Sequence, residues 1–233
     1  SPPLPGQAST RTDHFLALRR QLREKRRSVP DSDRRAAAQH AASLLGTLSV
    51  VLRARRTAVY LSTDGELDLE SFIADAQSRP TLTFAPVIKG DQLRFAPLRR
   101  DTSLRTGRFG IPEPAVRAYI DPRRLDVVLT PLVAFDDKGT RMGRGAGYYD
   151  RHFRFLATRS RWVKPKLIGI GYEFQRVRKL ERRAWDIPLW AAVTERGIYY
   201  FDDIEYKEIE IEDGMAWLQV RLTPPHTPRT LIP

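Results

Sequence analysis

Short apolar runs alternate with amphipathic helical stretches along most of this chain, and that alternation limits the folds open to it. Thr57-Ala-Val-Tyr-Leu61, residues 82–87, Leu125-Asp-Val-Val-Leu-Thr130 and Leu167-Ile-Gly-Ile170 read as buried strands, with shorter ones at 93–95 and 198–201. Helical spacing places Phe15, Leu18 and Leu22 on one face of a helix over 14–28. Ala37, Ala41, Leu44, Leu45 and Leu48 line a second helix ending near Ser49, and a third spans 68–78. Another helix follows Tyr148 and carries Phe153, Phe155 and Leu156. Strands that are apolar on both faces must be covered on both. The expected fold is therefore α/β, a three-layer α/β/α arrangement with a largely parallel sheet and helices on both faces. Ligands on such sheets gather at the carboxyl ends of the strands.

The ends differ from this middle. Residues 1–13 are rich in Pro, Ser and Thr and read as a disordered lead-in. Proline-rich loops are expected over 109–122. Residues 203–233 form a C-terminal extension, first acidic and alternating at Ile204, Tyr206, Ile209 and Ile211, as a strand would, then rich in proline.

Chemistry concentrates at residues 141–151, Arg-Met-Gly-Arg-Gly-Ala-Gly-Tyr-Tyr-Asp-Arg. Glycines alternate at Gly143, Gly145 and Gly147, so the backbone is free to take positive φ and approach a ligand closely. Successive N–H groups in such a loop can form an anion-binding nest, to which a helix starting at Tyr148 would add donors and a positive dipole end. Arg141 and Arg144 bring forked donors suited to phosphate or carboxylate, and Asp150 is placed to hold a metal. The loop reads as a polyphosphate cradle. It is neither a dinucleotide fingerprint, since Tyr148 stands where the third glycine would be, nor a Walker A loop.

Charge points the same way. Forty basic residues against 28 acidic ones give a net charge of +12, which favours anionic partners. The densest block, Arg19 to Arg27, reads mostly as the solvated basic face of an amphipathic helix. RNA binding is the sharper reading, but no aromatic residues interleave with the arginines as a single-strand platform requires. The chain has no cysteine, which excludes disulfides and thiolate catalysis and suits a reducing cytoplasm. No apolar run is long enough to span a membrane. His14, His40, His152 and His226 show no metal-ligand spacing.

The 141–151 block, with Pro131-Leu-Val-Ala-Phe-Asp136 before it, resembles the signature of the 5-formyltetrahydrofolate cyclo-ligase family. Supporting stretches fall in order: Tyr60-Leu-Ser-Thr-Asp-Gly-Glu66, Phe109-Gly-Ile-Pro-Glu-Pro114, Gly169-Ile-Gly-Tyr-Glu-Phe-Gln175, Asp186-Ile-Pro-Leu189 and Val193-Thr-Glu195. The resemblance implies a Rossmann-like strand order and a cyclo-ligase domain over 14–202. It also implies ATP- and magnesium-dependent closure of 5-formyltetrahydrofolate to 5,10-methenyltetrahydrofolate through phosphorylation of the formyl oxygen, in a cytoplasmic monomer. On that basis the ATP site would comprise Arg19, Arg141, Met142, Gly143, Arg144, Gly145, Ala146, Gly147, Tyr148 and Tyr149. The folate site would comprise Leu61, Glu66 and Phe109 with Arg144, Gly145, Ala146, Gly147 and Tyr148. Arg141, Arg144 and Tyr149 would be catalytic, and Asp150 and Asp186 would hold magnesium. Asp136 and Asp137 read as turn residues. Phe15 and Ala146 stand where family members carry lysines. A nucleic-acid-binding protein using the loop for backbone phosphates, and a kinase-like phosphotransferase for another metabolite, are the competing readings.

Overall fold

The computed structural model describes residues 5–145, 147–158, 164–183, 185–201, 204–211, 214–221 and 230–231. The chain opens with α1 (Pro5–Arg27), α2 (Asp31–Leu45) and the single turn α3 (Ser49–Leu52). The first helix begins at Pro5 rather than near His14, so it runs through residues expected to be a disordered lead-in. Proline is tolerated there because a first-turn N–H has no helical partner to lose. Pro30 precedes α2, and Asp31 and Asp33 in its first turn suit the positive end of the helix dipole.

Next come β1 (Arg56–Ala58), α4 (Glu70–Gln77), β2 (Leu82–Lys89) and β3 (Gln92–Leu98). The stretch expected to be proline-rich loop contains a strand. There β4 (Leu104–Thr106) and β5 (Pro112–Pro114) pair as a hairpin with Phe109 near its tip. Beyond it lie β6 (Val127–Pro131), a small hairpin of β7 (Ala134–Phe135) and β8 (Arg141–Met142), and α5 (Tyr148–His152). The chain continues through β9 (Lys166–Ile170), β10 (Ala191–Val193), β11 (Ile198–Tyr200), β12 (Ile204–Ile211), β13 (Gly214–Arg221) and β14 (Thr230–Leu231).

One sheet takes the order β14-β11-β10-β9-β6-β1-β2-β3. Its middle strands, from β10 to β2, are parallel. The antiparallel strands lie outside them: β3 on one side, β11 and β14 on the other. The alternation expected from Ile204 is a strand, paired with β13 in a separate hairpin.

Side chains of β6 alternate between the two faces. Val127 and Leu129 join α2 and α4 in one apolar layer, while Val128 joins Phe95 and Phe153 in the other. That is why the strand is apolar throughout. The α2 stripe of Ala37, Ala41, Leu44 and Leu45 is buried as its spacing predicts. A side chain as buried as Leu45 or Leu129 contributes about 1.5–3 kcal/mol. Helices cover both faces unequally. The second face is closed by the five-residue α5, the residues after it, and Ile187 and Leu189 from irregular chain.

Two features of this arrangement position the site. From β1 the chain crosses through α4 to β2 on one side, then returns to β6 on the other side of β1. A crevice therefore opens beyond the carboxyl ends of β1 and β6. Helix α1 packs Phe15, Leu18 and Leu22 against Val133, Ala134, Met142 and Leu180, and so lies beside the hairpin that carries the glycine loop.

Candidate active site

The crevice widens into a cavity of about 590 Å³, within the roughly 300–1,000 Å³ usual for small-molecule sites. Tyr60, Leu61 and Glu66 enter it from the loop after β1, and Pro131 and Leu132 from the end of β6. The glycine loop and Phe109 complete its walls. Leu61, Glu66 and Phe109 thus share one space with Arg141, Arg144, Tyr148 and Tyr149, while Arg19 and Asp186 are not among its walls.

The loop after β1 is held in an unusual shape. Asp64 adopts φ +56°, followed by Gly65 at φ +71°. A non-glycine residue is held there only when its surroundings over-determine it, and three arginines of α1 do so. Arg23 Nε donates to Asp64 Oδ2 at 2.8 Å, Arg26 Nη2 to the same oxygen at 2.7 Å, and Arg27 Nη1 to Oδ1 at 3.1 Å. Burial raises the Asp64 pKa, but the arginines outweigh it and hold the carboxyl below its ordinary value. Arg26 is 1% exposed. It also donates to the main-chain oxygens of Asp64 (3.0 Å) and Leu132 (3.2 Å), and lies 3.8 Å from Glu66 Oε1. The expectation of a solvated basic face therefore fails for Arg26, while Arg23 is partly and Arg27 largely open to solvent. Arg23, Arg26 and Arg27 bind the chain's own carboxylate, which folds back onto the helix.

Glu66, expected to meet the folate, is buried. Its Oε2 accepts from the Thr63 N–H at 3.1 Å, and its Oε1 from Arg144 Nε at 3.1 Å, with Arg144 Nη2 at 2.9 Å. Burial pushes the Glu66 carboxyl up, against the opposing pull of Arg144 and Arg26. Arg144 Nη2 also donates to Thr63 O at 3.1 Å and to Thr63 Oγ1.

The cradle is delivered by the β7–β8 hairpin. Asp136 accepts from the N–H groups of Lys138, Thr140 and Leu180, and Asp137 pairs with Arg176 at 2.8 Å, which makes both turn residues as expected. Positive φ is needed at Gly145 (+110°) and Gly147 (+63°) but not at Gly143. The cradle follows the two-residue β8, not a strand of the main sheet, and α5 is a single turn. A helix so short has little dipole to offer, so the loop's positive character comes from its arginines. Ala146 lies outside the described residues. The Met142 side chain is buried among Leu22, Val133 and Leu180, so only its main chain belongs to the loop.

Arg19 reaches the cradle directly, its Nε donating to Gly143 O at 3.1 Å while its guanidinium lies 5.2 Å over the Phe15 ring. Burial, with Arg183 and Arg23 nearby, lowers its pKa. Arg141 Nη2 donates to Asp150 Oδ1 at 2.7 Å, and its side chain is 4% exposed. Among the described residues its buried Nε finds no acceptor. Burial raises the Tyr149 hydroxyl strongly, so at neutral pH it is a donor and not a base. Tyr148 is tied to Arg108 at 3.2 Å, and Phe109 is 62% exposed at the cavity mouth with φ +61°.

Asp186 Oδ2 accepts from Arg183 N at 2.8 Å, which makes Asp186 a turn residue, and the next N–H, of Ile187, reaches Asp150 Oδ1 at 3.4 Å. Among the described residues no group of three or more acidic, His or Cys side chains forms a metal cage. Two carboxylates, with the rest of the shell left to water and phosphate, are the number of protein donors magnesium takes with a nucleotide. In type and number Asp150 and Asp186 suit that ion rather than one needing a full protein cage, while Oδ1 of Asp150 is already engaged by Arg141.

Sequence reasoning missed Arg26, Asp64 and Arg108. Arg26 carried a signal: it stands four residues after Leu22, on the apolar stripe of α1, where a solvated side chain does not belong.

A largely parallel sheet with a mostly apolar cavity at its switch point, carrying a few converging charged groups, defines an α/β enzyme acting on a small molecule. The 5-formyltetrahydrofolate cyclo-ligase family model matches residues 11–195, and the chain belongs to that family of ligases. It is 35% identical over 185 residues to the 5-formyltetrahydrofolate cyclo-ligase of Escherichia coli K12, covering 76% of this chain and 98% of that one. It is 34% identical to that of Haemophilus influenzae, covering 65% and 80%. The NMR structure of Aquifex aeolicus 5,10-methenyltetrahydrofolate synthetase superposes with a TM-score of 0.71 at 29% identity, covering 85% of this chain and 97% of that one. Among the described residues no helix is long and apolar enough to cross a membrane.

Proposed function

We propose that this enzyme converts 5-formyltetrahydrofolate and ATP to 5,10-methenyltetrahydrofolate, ADP and phosphate. The observation that carries this reading is the pair of cradle arginines. Arg141 and Arg144 turn into one cavity with Glu66, and Arg141 keeps a buried N–H that no atom accepts among the described residues. A buried donor left open is costly unless a ligand supplies the acceptor.

Ring closure by N10 must expel the formyl oxygen, a poor leaving group. Transfer of the γ-phosphoryl group to that oxygen makes it leave as phosphate. No protein nucleophile is needed, in keeping with a chain that has no cysteine. The protein positions the reactants and neutralises charge. The main chain of the cradle and Arg19 hold the triphosphate. Arg141 and Arg144 meet charge developing on the transferred group. Tyr149 donates a hydrogen bond, and Glu66 accepts from pterin N–H groups while Leu61 and Phe109 flank the rings. Asp150 and Asp186 would hold magnesium, which would supply neutralisation of the phosphate oxygens. We place the enzyme in the cytoplasm as a monomer. The nucleic-acid reading loses support, since Asp64 already engages three of the arginines it would use.

The test is 5-formyltetrahydrofolate with MgATP. The methenyl product is followed by near-ultraviolet absorbance and phosphate is measured alongside. One phosphate per product is expected. Product formed without ATP, or in metal-free buffer, refutes the mechanism.

A further inference from the structure

We propose that Arg144 is shared between Glu66 and the nucleotide, so that an empty folate site holds it away from ATP and folate binding releases it. This rests on the reading of the cavity given above and adds to it a coupling between its two halves.

The geometry makes the two uses exclusive. Arg144 commits Nε to Glu66 Oε1 and Nη2 to Glu66 Oε1 and Thr63, main chain and hydroxyl alike. A guanidinium grips a phosphate through two parallel N–H bonds. Among the described residues only Nη1 is without a partner, so Arg144 cannot grip a phosphoryl group with a matched pair of donors while it stays on this loop.

Folate chemistry supplies the release. A pterin edge presents adjacent N–H donors, and a carboxylate meets such a pair with both oxygens. Oε2 of Glu66 carries one main-chain bond, whereas Oε1 carries both Arg144 contacts. Pterin donors must therefore compete with Arg144 for Oε1. Arg26 cannot make the same exchange. It is buried, bonded to the main-chain oxygens of Asp64 and Leu132, and stays 3.8 Å from Oε1 as a fixed counter-charge. Glu66 thus keeps one cation when the other leaves. The leaving arginine stands between Gly143 and Gly145, and a Cβ added at Gly143 would meet nothing within 4 Å, so the backbone beside it is uncrowded.

The consequence is cooperative binding: folate should tighten the nucleotide site, and by linkage the nucleotide should tighten the folate site equally. The experiment measures the dissociation constant of magnesium with adenosine 5′-(β,γ-imido)triphosphate by calorimetry, with and without saturating 5-formyltetrahydrofolate. In the unsubstituted enzyme folate is expected to lower that constant about fivefold or more, the lower end of ordinary coupling. Glu66→Gln should bind the nucleotide tightly without folate and show no further gain. Arg144→Met should bind it weakly in both conditions. Thr63→Val, which removes only the hydroxyl acceptor, should shift affinity in the same direction as Glu66→Gln by a smaller factor, and keeps the test open if the glutamate variant does not fold. Equal affinity with and without folate in the unsubstituted enzyme overturns the proposal, as does a Glu66→Gln enzyme that binds nucleotide no more tightly. The turnover assay separates the two readings. Methenyl product formed normally with no coupling removes the shared arginine and leaves the reaction standing, whereas no product removes the reaction itself.

Discussion

Replacing Arg26 by methionine tests the least visible part of the site. Methionine keeps most of the stem and removes the guanidinium. The loss can be worked from what each partner retains. Leu132 O still accepts from Gln175 Nε2 at 2.9 Å. The Asp64 carboxylate keeps Arg23 at 2.8 Å and Arg27 at 3.1 Å. The Asp64 main-chain oxygen loses its donor, and Glu66 loses a cation 3.8 Å away. Removing one side of a buried ion pair typically costs 3–5 kcal/mol, and an orphaned buried polar group about 1–3. With two partners already covered, the expected destabilisation is about 3 kcal/mol. In urea this appears as a lowered midpoint at unchanged slope. The effect on Glu66 is separate. Burial already raises its carboxyl, and Arg26 is one of two arginines opposing the rise. Without Arg26 the carboxyl should rise further, so the ionised form is lost at a higher pH. The acid limb of kcat/KM for folate should then move to higher pH. A destabilisation below about 1 kcal/mol would refute the stability argument. An acid limb that stays in place in the folded variant would refute the electrostatic one.

Other substitutions probe the remaining parts. Arg144→Ala should lower kcat by about 3 kcal/mol of transition-state stabilisation and raise the KM for ATP by a smaller, roughly fivefold factor; a raised KM with kcat unchanged in steady-state kinetics would leave Arg144 a ground-state contact alone. Arg19→Ala should raise the KM for ATP because Arg19 touches the cradle at Gly143, whereas the exposed Arg20 should be replaceable with little effect; equal losses would mean diffuse attraction. Phe109→Ala should raise the KM for folate but alter stability by no more than about 0.5 kcal/mol, since the ring is exposed; a large drop in melting temperature would make it a packing residue. Asp64 is held below its ordinary carboxylate value, so the stability it contributes is present above that value and lost as pH falls through the folded one. Asp64→Asn should lower stability at neutral pH and flatten its decline in acid; parallel pH profiles for the two proteins would contradict this.

Local order was legible along the chain. Strands at Thr57 and Val127 and the α2 stripe from Ala37 to Leu45 are written in side-chain periodicity, which depends only on neighbours in sequence. The cradle was legible for the same reason, because glycines, arginines and Asp150 lie together within eleven residues. Glu66, Leu61, Phe109, Arg19 and Asp186 could be named only through a family resemblance. Nothing in the sequence places Leu61, Glu66 and Phe109 around one cavity with the cradle, and the switch point between β1 and β6 does that, while Arg19 and Asp186 lie outside its lining. The arginine block shows the boundary most clearly. Composition counts its charges and spacing puts them on a helix, but a charge is solvated or buried according to what packs over it. Arg26 is buried because Asp64, thirty-eight residues away, folds back across α1. Arg144 meets Glu66 across seventy-eight residues. Long-range pairing is decided by how the sheet, α1 and the β7–β8 hairpin pack together. Electrostatic partners that close such distances belong to the tertiary structure alone.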